Sequence, residues 1–195
     1  RQGEAKGLGH AILCAKKIIG NEPFAVILPD MLISKEGGQK NAGDSLKEMK
    51  INFEKYEISS ILLGKAKKED LSKYGIAEIK KDSKFPGLGL IENIVEKPSL
   101  KKAPSNYYAV GRYIFENHLF KYLSETKPDR SNEIQLTDAI GKYIKDGNQV
   151  NAFPLKGKIF DCGDNSEYIL ANLEFAIKNP LIKSKIKKFL KKKLF

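Results

Sequence analysis

Three acidic residues and one lysine stand where chemistry is easiest to build. PFAVILPD ends on Asp30, KGKIFDCGD carries Asp161, and IVEKP carries Glu96 and Lys97. Each segment is an apolar stretch that stops at a proline or glycine, so the charged groups fall at strand ends, where ligands bind in open α/β sheets. Two carboxylates on separate strand ends can share one Mg²⁺, which takes a few carboxylate oxygens and keeps positions for water and substrate phosphates. A neighbouring lysine neutralises phosphate oxygens as a point charge, and Glu96, one residue before it, is suited to accept hydrogen bonds from sugar hydroxyls. Together these parts suit attack of one phosphate on another. Taken singly they have plainer uses: Gly and Asp fill tight turns, and a Glu–Lys pair at a strand end forms a surface ion pair.

Such groups act only if a scaffold holds them, and the hydrophobic pattern describes one. Residues 7–19 carry Leu8, Ala11, Ile12, Ala15 and Ile18 at helical spacing, closed by Gly20-Asn21. The continuous apolar run 24–28 predicts a strand buried on both faces of a central sheet, stopped by Pro29. Residues 35–44 are polar and glycine-bearing and read as a loop. Asp44 or Ser45 then caps a helix over 46–55, and a strand follows over 58–63. Strand, helix, strand is the pattern of a parallel sheet, so the fold class is α/β. Further strands are expected over 76–79, 91–96 and 107–115, the last with Gly111 in its middle. Ile134, Leu136, Ala139, Ile140, Tyr143 and Ile144 predict a helix over 133–145. Short strands follow over 150–154 and 159–160, and a helix over 166–177 comes after the Asp161 motif.

At 195 residues the chain can bury one sizeable core without a disulfide or structural metal. Its two cysteines, Cys14 and Cys162, are far apart and in no ligand spacing, which gives no disulfide framework and points to a reducing cytoplasm. No apolar run approaches the roughly 20 residues of a membrane span, and the amino end lacks the layout of a signal peptide. The chain therefore reads as soluble and cytoplasmic. It begins at Arg1-Gln2-Gly3, in what reads as a loop feeding a helix, and a fragment of a longer protein is the expectation. The net charge of +11 would suit a nucleic-acid binder, but residues 183–195 alone hold seven lysines and no acid. In that tail Ile182, Ile186, Phe189, Leu190 and Leu194 recur at helical spacing. The tail is expected as a basic amphipathic helix docked on the domain or on a partner subunit, ahead of a role at a membrane surface. With no aromatic-rich platform or zinc finger, nucleic acid is not expected as a partner. The division is 1–180 as one domain and 181–195 as the terminal helix. KGLGH is glycine-rich but lacks the Lys-Ser or Lys-Thr ending of a P-loop, and His10 reads as structural rather than as a general base.

In order and in approximate spacing, RQGEAKGLGHAILCA, EPFAVILPD, YGI, VEKP, SNYYAVGRYIF, NEIQLTDAI and KGKIFDCGD resemble the bacterial UTP–glucose-1-phosphate uridylyltransferases. The likeness runs from Arg1 to about Pro180; each motif alone is weak, and the ordered set is specific. The resemblance implies a Rossmann-like nucleotide-diphospho-sugar transferase fold with a mixed, mostly parallel sheet flanked by helices. It implies a reaction in which the phosphate of α-D-glucose 1-phosphate attacks the α-phosphorus of UTP, giving UDP-glucose and pyrophosphate. It also implies Mg²⁺ as cofactor and a homo-oligomer. Carried over position by position, Asp30 and Asp161 match the magnesium ligands and Lys97 the lysine on the sugar phosphate. Gln2 matches the residue that reads the uracil edge, and Gly7 the one that leaves room for the ring. Gly75 and Glu96 match contacts to glucose hydroxyls, and Val110-Gly111 matches backbone lining the sugar pocket. The family's glycine-rich nucleotide loop, with its arginine and a further lysine, lies upstream of the segment that Arg1 begins. The resemblance thus implies a sheet incomplete at its amino end and a chain inactive by itself. Two readings stand beside it. One is a sister nucleotidylyltransferase using another nucleotide such as dTTP, which RQGEAKGLGHA disfavours. The other is a non-catalytic sugar-nucleotide-binding or assembly domain, which intact Asp30, Lys97 and Asp161 disfavour.

Overall fold

The computed structural model describes residues 1–34 and 45–194; the loop expected over 35–44 and the Asp44 cap lie outside the described residues. Burial dictates how the sheet is built. β3 (Ser59–Lys65) is buried from Ser59 through Gly64, and a strand with no solvent face needs neighbours on both edges. β6 (Tyr107–Phe115) runs antiparallel on one side of it and β7 (Val150–Pro154) parallel on the other. β1 (Phe24–Ile27) lies beyond β6, and the hairpin of β4 (Gly75–Lys80) and β5 (Gly89–Glu96) lies beyond β7, giving the order β1-β6-β3-β7-β5-β4. The start of β6 also pairs with β4, through Ile76↔Tyr108 and Ala77↔Tyr107. β1, β3, β7 and β4 point one way, β6 and β5 the other. The sheet is therefore mixed: four strands run one way, but the two reversed strands are interleaved among them, and among the described residues β3–β7 is its one parallel ladder.

Helices cover this sheet through apolar stripes. α5 (Leu136–Lys145) turns Leu136, Ala139, Ile140 and Tyr143 inward, each no more than 3% exposed. It packs on β5 and on α4 (Leu119–Glu125), whose Leu119, Phe120 and Leu123 are buried. Burying each such large side chain contributes about 1.5–3 kcal/mol. α3 (Ser45–Tyr56) lies over β3 and β6 with Met49 fully buried.

Several expectations are corrected. The helix over 7–19 is two, α1 (Gly7–Leu13) and α2 (Lys16–Ile19), because Ala15 N–H reaches back only to Ile12 O and tightens the turn. The helix over 133–145 starts only at Leu136: Ile134 N–H bonds Lys6 O at 2.9 Å and Ile134 O takes Gly9 N–H at 2.8 Å, which removes both groups from a helical ladder. The strand expected to be buried on both faces is an edge strand among the described residues, with Ile27 51% exposed. Beside it runs an apolar cleft of about 570 Å³ between Phe24, Ala25 and Ile114 of the sheet and Leu46 and Phe53 of α3. Three elements among the described residues had no expectation: a 3-10 helix over Lys68–Lys73, α4, and the strand β2 (Met31–Ser34) directly after Asp30.

The chain forms two compact units, Arg1–Ile27 with Asp44–Lys156, and Leu28–Gly43 with Gly157–Phe195. The six-stranded sheet and α1 to α5 belong to the first. In the second, β2 pairs antiparallel with β8 (Lys158–Asp161). α6 (Asn165–Ala176) packs on β8, where Phe160 is buried against the Phe175 ring. Lys178 Nζ donates to Ser34 Oγ at 2.8 Å. α7 (Pro180–Leu194) is the expected basic helix, and Leu181, Ile182, Phe189 and Leu190 on it are exposed, Leu181 at 77% and Phe189 at 61%. Among the described residues no helix is long and apolar enough to cross a membrane.

Candidate functional site

The β4–β5 ladder sets Gly75 directly opposite Glu96. A Cβ on Gly75 would meet Thr137 Cγ2 at 2.7 Å and Glu96 Oε2 at 3.3 Å, so the space beside the carboxylate exists only because residue 75 has no side chain. Thr137, in the first turn of α5, donates its hydroxyl to Glu96 Oε2 at 2.9 Å. Burial pushes the Glu96 carboxyl above its ordinary range, against the Thr137 hydrogen bond and the Lys97 charge, which both pull it down. Lys97 adopts a left-handed backbone, φ 40°, with its N–H bonded to Tyr74 O at 3.0 Å. Such a conformation costs a non-glycine residue about 1–3 kcal/mol and persists where the surroundings impose it. The Lys97 ammonium leans on Glu96 Oε1 at 4.0 Å and is 60% exposed, so an anion can reach it.

A bulge lies in β6. Ile61 pairs with Tyr113 and Leu63 with Ala109, so residues 110–112 stand against a single residue of β3, with Gly111 at φ 74°. A bulge of this kind takes backbone groups out of the ladder and re-aims them. The Val110 side chain is fully buried in the core, so Val110 can offer a ligand only its backbone.

At the amino end of the same unit, Gln2 Nε2 donates to Gly7 O at 3.2 Å and lies 3.0 Å from His10 Nδ1. Gly7 has φ 85°, and a Cβ there would lie 2.9 Å from both Glu133 Cβ and Ile134 O. Close approach to the stretch before α5 is thus one reason for glycine at this position. That stretch touches Gly7 through Glu133 and Ile134, and three residues later Thr137 holds Glu96.

In the second unit the β2–β8 register puts Met31 opposite Asp161, and Cys162 N–H bonds Asp30 O at 2.8 Å. The two aspartates therefore stand at adjoining positions of paired segments. A Cβ on Gly163 would lie 3.1 Å from Asp161 Oδ1 and 3.8 Å from Asp30 Oδ2, so both carboxylates border one small space. Burial first, then the charges of Asp161 and Asp30, pushes the Cys162 thiol up. Asp161 Oδ1 also accepts the Gly163 amide at 3.1 Å, and Asp164 Oδ1 caps α6, accepting the Ser166 and Glu167 amides at 2.9 and 3.0 Å. Two hard oxygen donors on one space suit a cation such as Mg²⁺, which completes its octahedron from water and phosphate. Among the described residues no group of three or more His, Cys, Asp or Glu side chains forms a fuller cage.

The nucleotidyl transferase family model matches residues 1–177. The chain belongs to that family. It is 39% identical to the UTP–glucose-1-phosphate uridylyltransferase of Haemophilus ducreyi over 98% of its own length and 64% of the relative's. It is 38% identical to the Escherichia coli K12 enzyme of the same name over 100% of its length and 63% of the relative's. Its fold superposes with a TM-score of 0.82 on a UDP-glucose pyrophosphorylase complexed with UDP-glucose, at 42% identity, covering 92% of this chain and 65% of that one. A UTP-bound UDP-glucose pyrophosphorylase from Acinetobacter baumannii gives 0.80 at 33% identity, covering 97% and 63%. This nucleotidyl transferase chain thus spans a little under two thirds of the length of the proteins it matches.

Within the nucleotidyl transferase chain, the expected residues Gln2, Gly7, Gly75, Glu96, Lys97, Val110 and Gly111 all fall in the first unit, and Asp30 and Asp161 in the second. The structure brings together Gly75, Glu96 and Lys97 in one cluster and Asp30 and Asp161 in another. Sequence reasoning missed Thr137, which sits in the quoted motif NEIQLTDAI but reads there as an ordinary helix-start residue. It also missed that His10 holds Gln2; only a tertiary fold brings residues eight apart across a loop and a helix into contact.

Proposed function

We propose that the chain carries recognition and metal-holding residues of a UTP–glucose-1-phosphate uridylyltransferase. In this reaction a phosphate oxygen of α-D-glucose 1-phosphate attacks the α-phosphorus of UTP, the bond to the β-phosphate breaks, and pyrophosphate leaves as UDP-glucose forms. The single observation that carries the reading is the shared space of the Asp30 and Asp161 carboxylates beside Gly163, in a chain similar over nearly all its length to proteins of that name.

Each role follows from the chemistry of its residue. Asp30 and Asp161 would hold Mg²⁺, which when bound withdraws charge from phosphate oxygens. Lys97, exposed and leaning on Glu96, neutralises the sugar phosphate. Glu96 accepts from glucose hydroxyls with the oxygen not engaged by Thr137, and Gly75 leaves room beside the Oε2 that Thr137 holds. The Val110-Gly111 bulge offers backbone to the sugar, and Gln2 reads the uracil edge above Gly7. Two similar structures, one complexed with UDP-glucose and one UTP-bound, support this choice of ligands. A homo-oligomer working in the cytoplasm belongs to the same reading.

The test is pyrophosphate release from UTP and glucose 1-phosphate, run on this chain and on the chain joined to the part of the Haemophilus ducreyi relative that it does not span. The joined protein is expected to turn over only with Mg²⁺ and to prefer UTP over dTTP. Asp161→Asn, which keeps shape and loses charge, should lower turnover at least ~100-fold, in line with loss of electrostatic stabilisation. Full activity in that variant would overturn the metal role, and equal use of dTTP would overturn the nucleotide.

A further inference from the structure

The proposed reaction gives His10 no part, but its surroundings do. Gly7 O is a carbonyl and can only accept, so the Gln2 amide must turn its nitrogen toward it, at 3.2 Å. That same nitrogen lies 3.0 Å from His10 Nδ1. Nδ1 must then offer its lone pair, which places the ring proton on Nε2. Both amide protons of Gln2 are engaged inside the protein, and its Oε1 remains for a ligand.

We infer that His10 is a positioning residue for base recognition: the neutral imidazole and the Gly7 carbonyl together hold Gln2 as an acceptor-only reader, fitted to a pyrimidine with an imide N–H. Uracil carries that proton at N3; cytosine carries a lone pair there. The inference rests on the proposed uridylyl transfer and adds to it the means of base selection. A site built to accept a hydrogen bond rejects a base that cannot supply one, because two acceptors are left facing each other. Protonation of His10 puts an N–H on Nδ1 against the Gln2 N–H. Two donors then face each other, so the amide swings away or turns its oxygen to the ring, and the reader is withdrawn. The other titratable groups around the ring are the Cys14 thiol, 3.9 Å from the same Nδ1, and Glu4. The Glu4 carboxyl is held below its ordinary range by its hydrogen bond and ion pair with Lys6, at 2.8 Å, and to a smaller extent by His10.

The test uses the chain itself, ¹⁵N-labelled, with UTP and CTP as probes. NMR follows the Gln2 side-chain amide, assigned by its loss in Gln2→Ala. In the parent the two amide protons are held apart in shift and move in step with the His10 ring signals as the pH falls. In His10→Phe the proton that faced the ring moves to the position of a free amide proton, while the one on Gly7 O stays bonded. His10→Asn, whose Oδ1 stands near the place of Nδ1, keeps the parent position and loses the pH dependence; it decides the matter even if His10→Phe does not fold. UTP binding, read from chemical shifts at neutral pH, weakens roughly three- to tenfold in His10→Phe, the effect of one hydrogen bond, and returns in His10→Asn. Gln2 signals indifferent to both substitutions overturn the lock. Unchanged UTP affinity in His10→Phe overturns the role in base recognition. A parent chain with the lock intact that binds CTP as well as UTP overturns the base assignment through the uridylyl reading rather than through His10.

Discussion

Lys97 and Glu96 are adjacent in sequence, yet their environments set them apart. Among the described residues the exposed Lys97 side chain has one weak ion pair, at 4.0 Å, and exposed pairs contribute about 0–1 kcal/mol. Lys97→Ala should therefore leave the unfolding free energy within about 1 kcal/mol of the parent while turnover of the joined protein falls by orders of magnitude. Comparable turnover would return Lys97 to the role of a strand-end lysine. Glu96 differs because burial disfavours its charge. With its folded pKa above the unfolded value of 4.5, the native state holds the proton more tightly than the unfolded state does. Stability from this group is thus fully present below the unfolded value and is lost as the pH rises through the folded one. Glu96→Gln should melt higher than the parent at about pH 8, with the difference closing below about pH 4, as linkage requires. A difference that widens toward acid would show that the carboxylate is stabilised rather than penalised.

Among elements, the three residues ahead of α5 matter most, since they meet α1 on one side and precede Thr137 on the other. Ile134 exchanges backbone hydrogen bonds with Lys6 and Gly9, and a Cβ on Gly9 would lie 2.6 Å from Ile134 O and 2.9 Å from Ile134 Cγ2. Backbone cannot yield as a side-chain tip can. Gly9→Ala should cost about 1–3 kcal/mol of stability in urea unfolding, as overpacking does, and shift the amide signals of residues 133–137. A neutral substitution would mean that the contact relaxes freely. In the second unit α6 depends on its cap: Asp164→Ala should cost about 1 kcal/mol without touching the Asp30 and Asp161 space. A larger loss of magnesium-dependent turnover than of stability would make Asp164 part of the metal shell.

For the molecule as a whole, the two units make different demands. The first has a dense core under its sheet; the second has β2, β8 and α6 and then a helix on which Leu181, Ile182, Phe189 and Leu190 meet solvent. Removing residues 180–195 should change the unfolding free energy by less than about 0.5 kcal/mol, as substitutions at uncovered surfaces do. A protein-concentration-dependent drop in melting temperature would instead reveal that another copy covers α7. Two carboxylates attract Mg²⁺ only weakly before phosphate oxygens join them, so millimolar Mg²⁺ alone should barely move the melting temperature, and Mg²⁺ with UTP should move it more.

The amino-acid sequence by itself determined the α/β class, the strand over Tyr107–Phe115 residue for residue, the placement of Asp30, Lys97 and Asp161 at element ends, and the basic terminal helix. It did so because hydrophobic period and glycine or proline punctuation act locally, over a few residues. Partnership between distant segments has no such local signal. Only the tertiary structure decided that, among the described residues, the apolar strand of Phe24–Ile27 pairs on one side alone, with β6. It alone decided that Ile134 gives its hydrogen bonds to α1 rather than to its own helix. The same holds for Thr137 on Glu96 and for His10 on Gln2. Each of these contacts is made by groups whose types suit many uses, and their use is chosen by which backbone the fold carries within 3 Å or so of them.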